Sequence, residues 1–192
     1  MAERAITLLH GADLRLQQLV EKLHPEQLSL ATPCAGWDVR ATLSHTLESI
    51  EAFSAAVDGG RAPSEAQLFE GADILGDDPI GVTKRILERS HAAWDNVTEW
   101  EDVTVQTVLG PMPIDKAVAI VTFSTLVHSW DLAWALGERV EFTAAEATLA
   151  EAVGNELVPA TRAYGLYGPE VAAPAQATAT QRVIAFTGRA PL

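Results

Sequence analysis

Ala117-Val118-Ala119-Ile120-Val121-Thr122-Phe123-Ser124-Thr125-Leu126-Val127-His128-Ser129-Trp130 carries no charge, and its apolar side chains fall on every side of a helical projection. A helix on a protein surface shows one apolar stripe, whereas a run that is apolar all round belongs at the centre of a bundle, buried on more than one face. Pro113 suits the first turn of such a helix and Gly137 its end. The stretch is therefore read as one long central helix from Pro113 to Gly137, and the rest of the chain is asked what packs around it.

The other elements follow from spacing and capping. Ala5, Leu8, Leu9, Ala12, Leu16, Leu19, Val20 and Leu23 recur at three and four positions, which predicts an amphipathic helix from Ala2 to about Leu23, ended by Pro25. Asp38 is the N-cap of a second helix to about Asp58, stopped by Gly59-Gly60. Residues Arg61 to Asp77 read as a surface loop with a helical turn at Glu65 to Glu70. Asp78-Pro79 opens a third helix to about Val97. Thr104 to Leu109, alternating and β-branched, reads as a short strand or extended segment. Beyond the central helix, Thr143-Ala144-Ala145-Glu146 matches a capping box and starts a helix ending near Leu157. An irregular tail follows, with Thr180 to Thr187 helical. The expected class is all-α: a four-helix bundle with an additional C-terminal helix and an irregular tail, in a single domain over residues 1–192.

Composition narrows the function classes. At 192 residues with 48% hydrophobic content the chain can bury a sizeable core. Asp and Glu number 26 against 13 Lys and Arg, a net charge of −13, which argues against nucleic acid and anionic membranes as partners. Cys34 is the single cysteine, so an intrachain disulfide and a thiolate-rich zinc site are excluded. No stretch approaches the roughly 20 apolar residues of a membrane helix, and the N-terminus lacks a signal-peptide core. A cytoplasmic location is expected.

Two segments place a histidine on a helix. Thr32-Pro33-Cys34-Ala35-Gly36-Trp37-Asp38-Val39 runs on to His45, and Leu126-Val127-His128-Ser129-Trp130-Asp131-Leu132-Ala133 runs on to Gly137. His45 lies off the Val39, Leu43, Leu47, Ile50 stripe, among the small residues Ala41, Thr42, Ser49, Ala52 and Ala56, a setting compatible with a pocket. His128 sits in the buried run, where an imidazole needs a partner; Ser124, Asp131 and His45 are the candidates. From the residues alone two readings stay open. In one, His45 and His128 share a metal. In the other they are core histidines satisfied by Ser124, Thr42 or backbone carbonyls.

The two segments, with the ending Tyr167-Gly168-Pro169-Glu170-Val171 and Gln181 to Arg189, resemble the DinB-like superfamily, in the branch related to the N-terminal domain of mycothiol-dependent maleylpyruvate isomerase, including its actinobacterial members. The resemblance implies a four-helix bundle holding a divalent metal, zinc or nickel, with His45 and His128 as ligands. It implies a carboxylate four residues before the second histidine, where this chain has Ser124. A third donor would then come from Asp131, Glu48, another histidine or solvent. The activity implied is that of an isomerase or transferase dependent on a low-molecular-weight thiol such as mycothiol, with a small-molecule substrate or thiol as partner and homodimerisation as a further expectation. Two alternatives stand beside it: a catalytically silent bundle that has lost the carboxylate, and a metal-dependent hydrolase, since an open metal site also ionises water.

Other residues read more plainly. Cys34 as a nucleophile would need its thiol activated by Arg40 or the helix N-terminus; a structural place in the turn is the simpler reading. His91 and His10 read as partly exposed side chains at a core edge, His24 as surface, and Trp37, Trp130 and Trp134 as core and pocket wall.

Overall fold

The computed structural model describes residues 2–190. Its helices are α1 (Ala2–Val20), α2 (Val39–Asp58), α3 (Glu65–Glu70), α4 (Pro79–Asp95), α5 (Ile114–Ala135), α6 (Ala144–Arg162) and α7 (Ala179–Phe186), with a hairpin of β1 (Thr104–Thr107) and β2 (Gly110–Pro113) between α4 and α5. The expected caps form: Asp38 accepts from Ala41 N–H, Asp78 from Gly81 N–H and Thr143 from Glu146 N–H, each satisfying a donor that the first helical turn leaves open. Gly59 ends α2 in the left-handed region at φ 69°, where an L side chain is strained.

Four helices make the bundle. α1 and α2 each pack on both α4 and α5. The connections from α1 to α2 and from α4 to α5 therefore cross between helices that are not closest neighbours. α5 is buried nearly throughout, from Ile114 to Ala133, because it faces two cores. One holds Leu9, Leu16, Leu43, Leu47, Ile50, Trp94 and Val121. The other holds Phe123, Leu126 and Val127 against Phe142, Ala147, Ala150 and Ile184 of the α6–α7 layer. Truncating a fully buried side chain such as Phe123 or Leu126 to Ala costs about 3–5 kcal/mol.

Element ends differ from the sequence reading where local bonds tighten or packing carries a helix on. α1 stops at Val20 and α4 at Asp95, each followed by i→i+3 bonds, Leu23 N–H to Val20 O and Val97 N–H to Trp94 O. α6 runs past Leu157 to Arg162 with Pro159 inside it. The proline deprives the carbonyl four residues earlier of a donor, yet the fully buried Val158 and the Thr161 hydroxyl, donating to Leu157 O at 2.6 Å, hold the last turn on the core. The extended segment at Thr104 is half of an antiparallel hairpin in which Thr104 faces Pro113 and Gln106 faces Pro111. Its tip, Val108-Leu109, reaches the cavity described next.

Candidate functional site

The start of α2 places His45. Thr32 Oγ1 donates to Trp37 O at 3.0 Å, closing the Thr-Pro-Cys-Ala-Gly-Trp turn against the helix. The Trp37 ring then packs 4.7 Å from the His45 ring, centroid to centroid. His45 Nδ1 lies 2.6 Å from Leu68 O of α3. A carbonyl only accepts, so Nδ1 carries the proton and Nε2 the lone pair. Burial, followed by the neighbouring His128, keeps this imidazole neutral and lowers its pKa to about 3.

His128 on α5 is set by a chain of charges. Its Nδ1 lies 3.0 Å from Asp131 Oδ2, one turn on. Arg189 grips the same carboxylate with two bonds, Nε to Oδ1 at 2.6 Å and Nη2 to Oδ2 at 2.8 Å. Burial works against the Asp131 charge, but Arg189 and then His128 hold its carboxyl below the usual carboxylate range. An ionised carboxylate is an acceptor, so His128 Nδ1 donates, and Nε2 is the nitrogen left to the cavity. The tail is led to this point by a close crossing: a Cβ at Gly188, φ 89°, would meet the Gly168 backbone at 2.8 Å, so two glycines let the strands of chain touch and Arg189 reach inward.

The two imidazoles meet edge to face, 5.0 Å between centroids, in one cavity of about 310 Å³. Among the described residues neither Nε2 has a hydrogen-bond partner, and neither is sealed from the cavity. Ser124 lines the same space, as do Ser49, Phe53, Ile120 and, from the far side, Leu166 and Tyr167.

The remaining candidates for a third ligand lie elsewhere. Asp131 faces His128 and Arg189. Glu48 lines a separate cavity with Arg61, Arg85 and Arg89, its carboxyl raised to about 7 by burial and then by Glu51. His91 and His10 sit between α1 and α4, on Asp13 and Asp95. Cys34 does line the cavity, but Arg40 is turned to Asp73 at 2.9 Å, and burial pushes the thiol up, against the pull of Arg189. That counts against Cys34 as an activated nucleophile. Trp37 is cavity wall, whereas Trp130 packs in the α5–α6 core.

What sequence reasoning missed is the support behind the two imidazoles: the Leu68 carbonyl, a backbone group with no sequence signature, and Arg189. The one available signal for Arg189 was Asp131 itself, an acid closing a run of buried apolar residues and so in need of a cation.

The donor set fits a divalent ion as an open site. Two imidazoles whose Nδ1 atoms are held by outer hydrogen bonds, each with Nε2 left for an ion, suit zinc or nickel. Among the described residues no three His, Cys, Asp or Glu side chains converge, and Ser124 offers only a neutral hydroxyl. The remaining coordination positions would fall to solvent or to a ligand.

No sequence among curated proteins matches the chain. Two solved structures do. The mycothiol-dependent maleylpyruvate isomerase superposes with a TM-score of 0.66 at 16% identity, covering 89% of this chain and 75% of that one. A histidine-to-alanine variant of that enzyme gives 0.68 at 15%, covering 84% and 72%. At these identities the likeness is one of fold, and it agrees with the DinB-like bundle expected from the sequence. The family described as the mycothiol maleylpyruvate isomerase N-terminal domain matches residues 9–133, a span that includes both histidine segments. The chain belongs to the mycothiol maleylpyruvate isomerase N-terminal domain family.

Proposed function

We propose that this chain is a single-domain, metal-binding isomerase or transferase that uses a low-molecular-weight thiol of the mycothiol kind. The observation that carries the reading is the pair of outer hydrogen bonds: both Nδ1 atoms are spent on fixed acceptors, which leaves the two Nε2 atoms to one cavity. A divalent ion on His45 and His128 would supply Lewis acidity, lowering the pKa of the thiol so that it is held as thiolate. The chain's own part is to keep the two rings from turning through Leu68 and Asp131, with each Nε2 left for the ion, and to wall the cavity with Trp37 and Phe53. The family's dependence on mycothiol supports a thiol as the small-molecule partner.

The test is metal content and zinc titration of the untagged protein, with thiol-exchange assays on the loaded form. Stoichiometric metal, lost in His45→Ala and in His128→Ala, with turnover of an electrophile only when thiol is added, is the expected result. Turnover without thiol would favour hydrolysis instead.

One observation favours a second reading, a catalytically silent bundle: Ser124 stands where the resemblance calls for a carboxylate. Under that reading the wild type takes up no zinc or nickel, and Ser124→Glu restores uptake.

A further inference from the structure

We propose that the cavity between α2 and α4 is a second ligand site, built for a small zwitterion: an aminocarboxylate whose ammonium meets Glu48 and whose carboxylate meets Arg61 and Arg85. It is separate from the His45–His128 cavity and does not depend on the chemistry proposed there.

The cavity, of about 320 Å³, is walled by both signs of charge, each from its own elements. Glu48 and Glu51 come from α2, Arg85 and Arg89 from α4, and Arg61 from the connection that follows α2. Glu48 is 1% exposed, and neither of its oxygens has a hydrogen-bond partner among the described residues. A buried carboxyl is ordinarily bonded and matched by a cation, because a bare one in the interior is strongly unfavourable. Here the chain brings no cation to it. Burial and then Glu51 raise its pKa to about 7, the direction expected of an acid whose nearest charge is another acid. An ammonium group supplies what is lacking, a positive charge and three N–H donors.

The basic wall is open in the complementary way. Arg89 is engaged: Nε and Nη2 bond Asp58 at 3.2 and 3.1 Å, and Nη1 donates to Arg61 O at 3.2 Å, which ties the Arg61 segment to α4. The side chains of Arg61 and Arg85 have no partner among the described residues. Their planar forks match a carboxylate. Between the two walls Ile74, Val82 and Ile86 give an apolar floor for a short carbon skeleton.

Ligands of one sign fit worse. A phosphate would engage the arginines but face Glu48 and Glu51. A divalent ion would find guanidinium groups beside its carboxylates, and among the described residues no three His, Cys, Asp or Glu side chains converge. A simple amine would leave Arg61 and Arg85 unused. A zwitterion answers both walls and adds no net charge.

The experiment is calorimetric titration of the full chain, chelator-treated so that no metal captures the probe, with compounds of one chain length. L-Norvaline and 5-aminopentanoate carry both charges; pentanoate and pentylamine carry one each. The better zwitterion should bind at least about tenfold more tightly than either singly charged probe. Glu48→Gln, nearly isosteric, should bring zwitterion affinity down to that of pentanoate. Arg85→Gln, at an exposed position, should weaken the zwitterion at least about fivefold and leave pentylamine unchanged. Urea denaturation checks that each variant folds; if Glu48→Gln does not, the probe series and the Arg85 variant decide. A singly charged probe that binds as tightly as the better zwitterion, no zwitterion binding at millimolar concentration, or affinity unchanged in either folded variant overturns the proposal.

Discussion

The molecule contains two histidine pairs that look alike in sequence and behave in opposite ways. His45 and His128 face each other across α2 and α5, and His10 and His91 across α1 and α4, the latter rings 4.1 Å apart. In the first pair each Nδ1 is committed and each Nε2 is free. In the second, His91 Nε2 is the engaged atom, 3.1 Å from Asp13, while His10 Nε2 lies 3.3 Å from Asp95 without forming a hydrogen bond. The carboxylates differ as well. Asp131 is matched by Arg189, so His128 need not carry its countercharge. Asp13, fully buried with Oδ1 unpartnered, has only histidines nearby. Its hydrogen bond, outweighing burial, raises the His91 pKa. Which nitrogen is spent, and whether the acid has another cation, separates the pair proposed as metal ligands from an ion pair.

The largest effect should come from breaking Asp131–Arg189. Arg189→Met or Asp131→Asn leaves one buried charge unmatched, and urea denaturation should show a loss of about 3–5 kcal/mol for each. The double variant should lose clearly less than the sum, since both single changes delete one interaction. Additive losses would mean that the pair is not a unit.

The pairs should also give opposite slopes of stability against pH. For His45 the folded pKa is about 3 and the unfolded value about 6.5, so the unfolded chain binds the extra proton between them and stability falls as pH drops through that window, by roughly 5 kcal/mol in full. For His91 the folded pKa is raised, so its contribution is complete below about 6.5 and is lost as pH climbs through the folded value. Because His91 is partly exposed, that loss should stay below about 1 kcal/mol. Chelator-treated His45→Gln should flatten the acid limb and Asp13→Asn the alkaline one; the reverse assignment would contradict the comparison.

Between these two in size is a gain. Ser124→Glu adds a carboxylate four residues before His128, on the same helical face, and zinc affinity should rise at least tenfold, about 1.4 kcal/mol. His91→Gln should leave zinc affinity unchanged.

Much of this was legible in the chain. The run from Ala117 to Trp130 announced a central helix, and Asp38, Asp78 and Thr143 announced three helix starts, because capping depends on one side chain and its next few neighbours. β2 was not legible: Gly110-Pro111-Met112-Pro113 offers two prolines that cannot donate, and its pairing follows from the edge position at the hairpin. The last turn of α6 was hidden because tertiary burial of Val158 outweighs the local cost of Pro159. His45 and His128 could be picked out by helix and spacing. That their Nδ1 atoms are tied down could not, since it depends on a carbonyl 23 residues from His45 and, behind His128, on a guanidinium 58 residues from Asp131.

The most direct measurement is a zinc titration, with nickel in parallel, of the untagged wild type beside His45→Ala, His128→Ala and the double variant His10→Ala/His91→Ala. One ion per chain in the wild type and in the His10/His91 variant, with affinity reduced at least a hundredfold in each of the other two, is the expected result. Binding that survives loss of His45 or His128, or that disappears with His10 and His91, would contradict the assignment of the ligand pair.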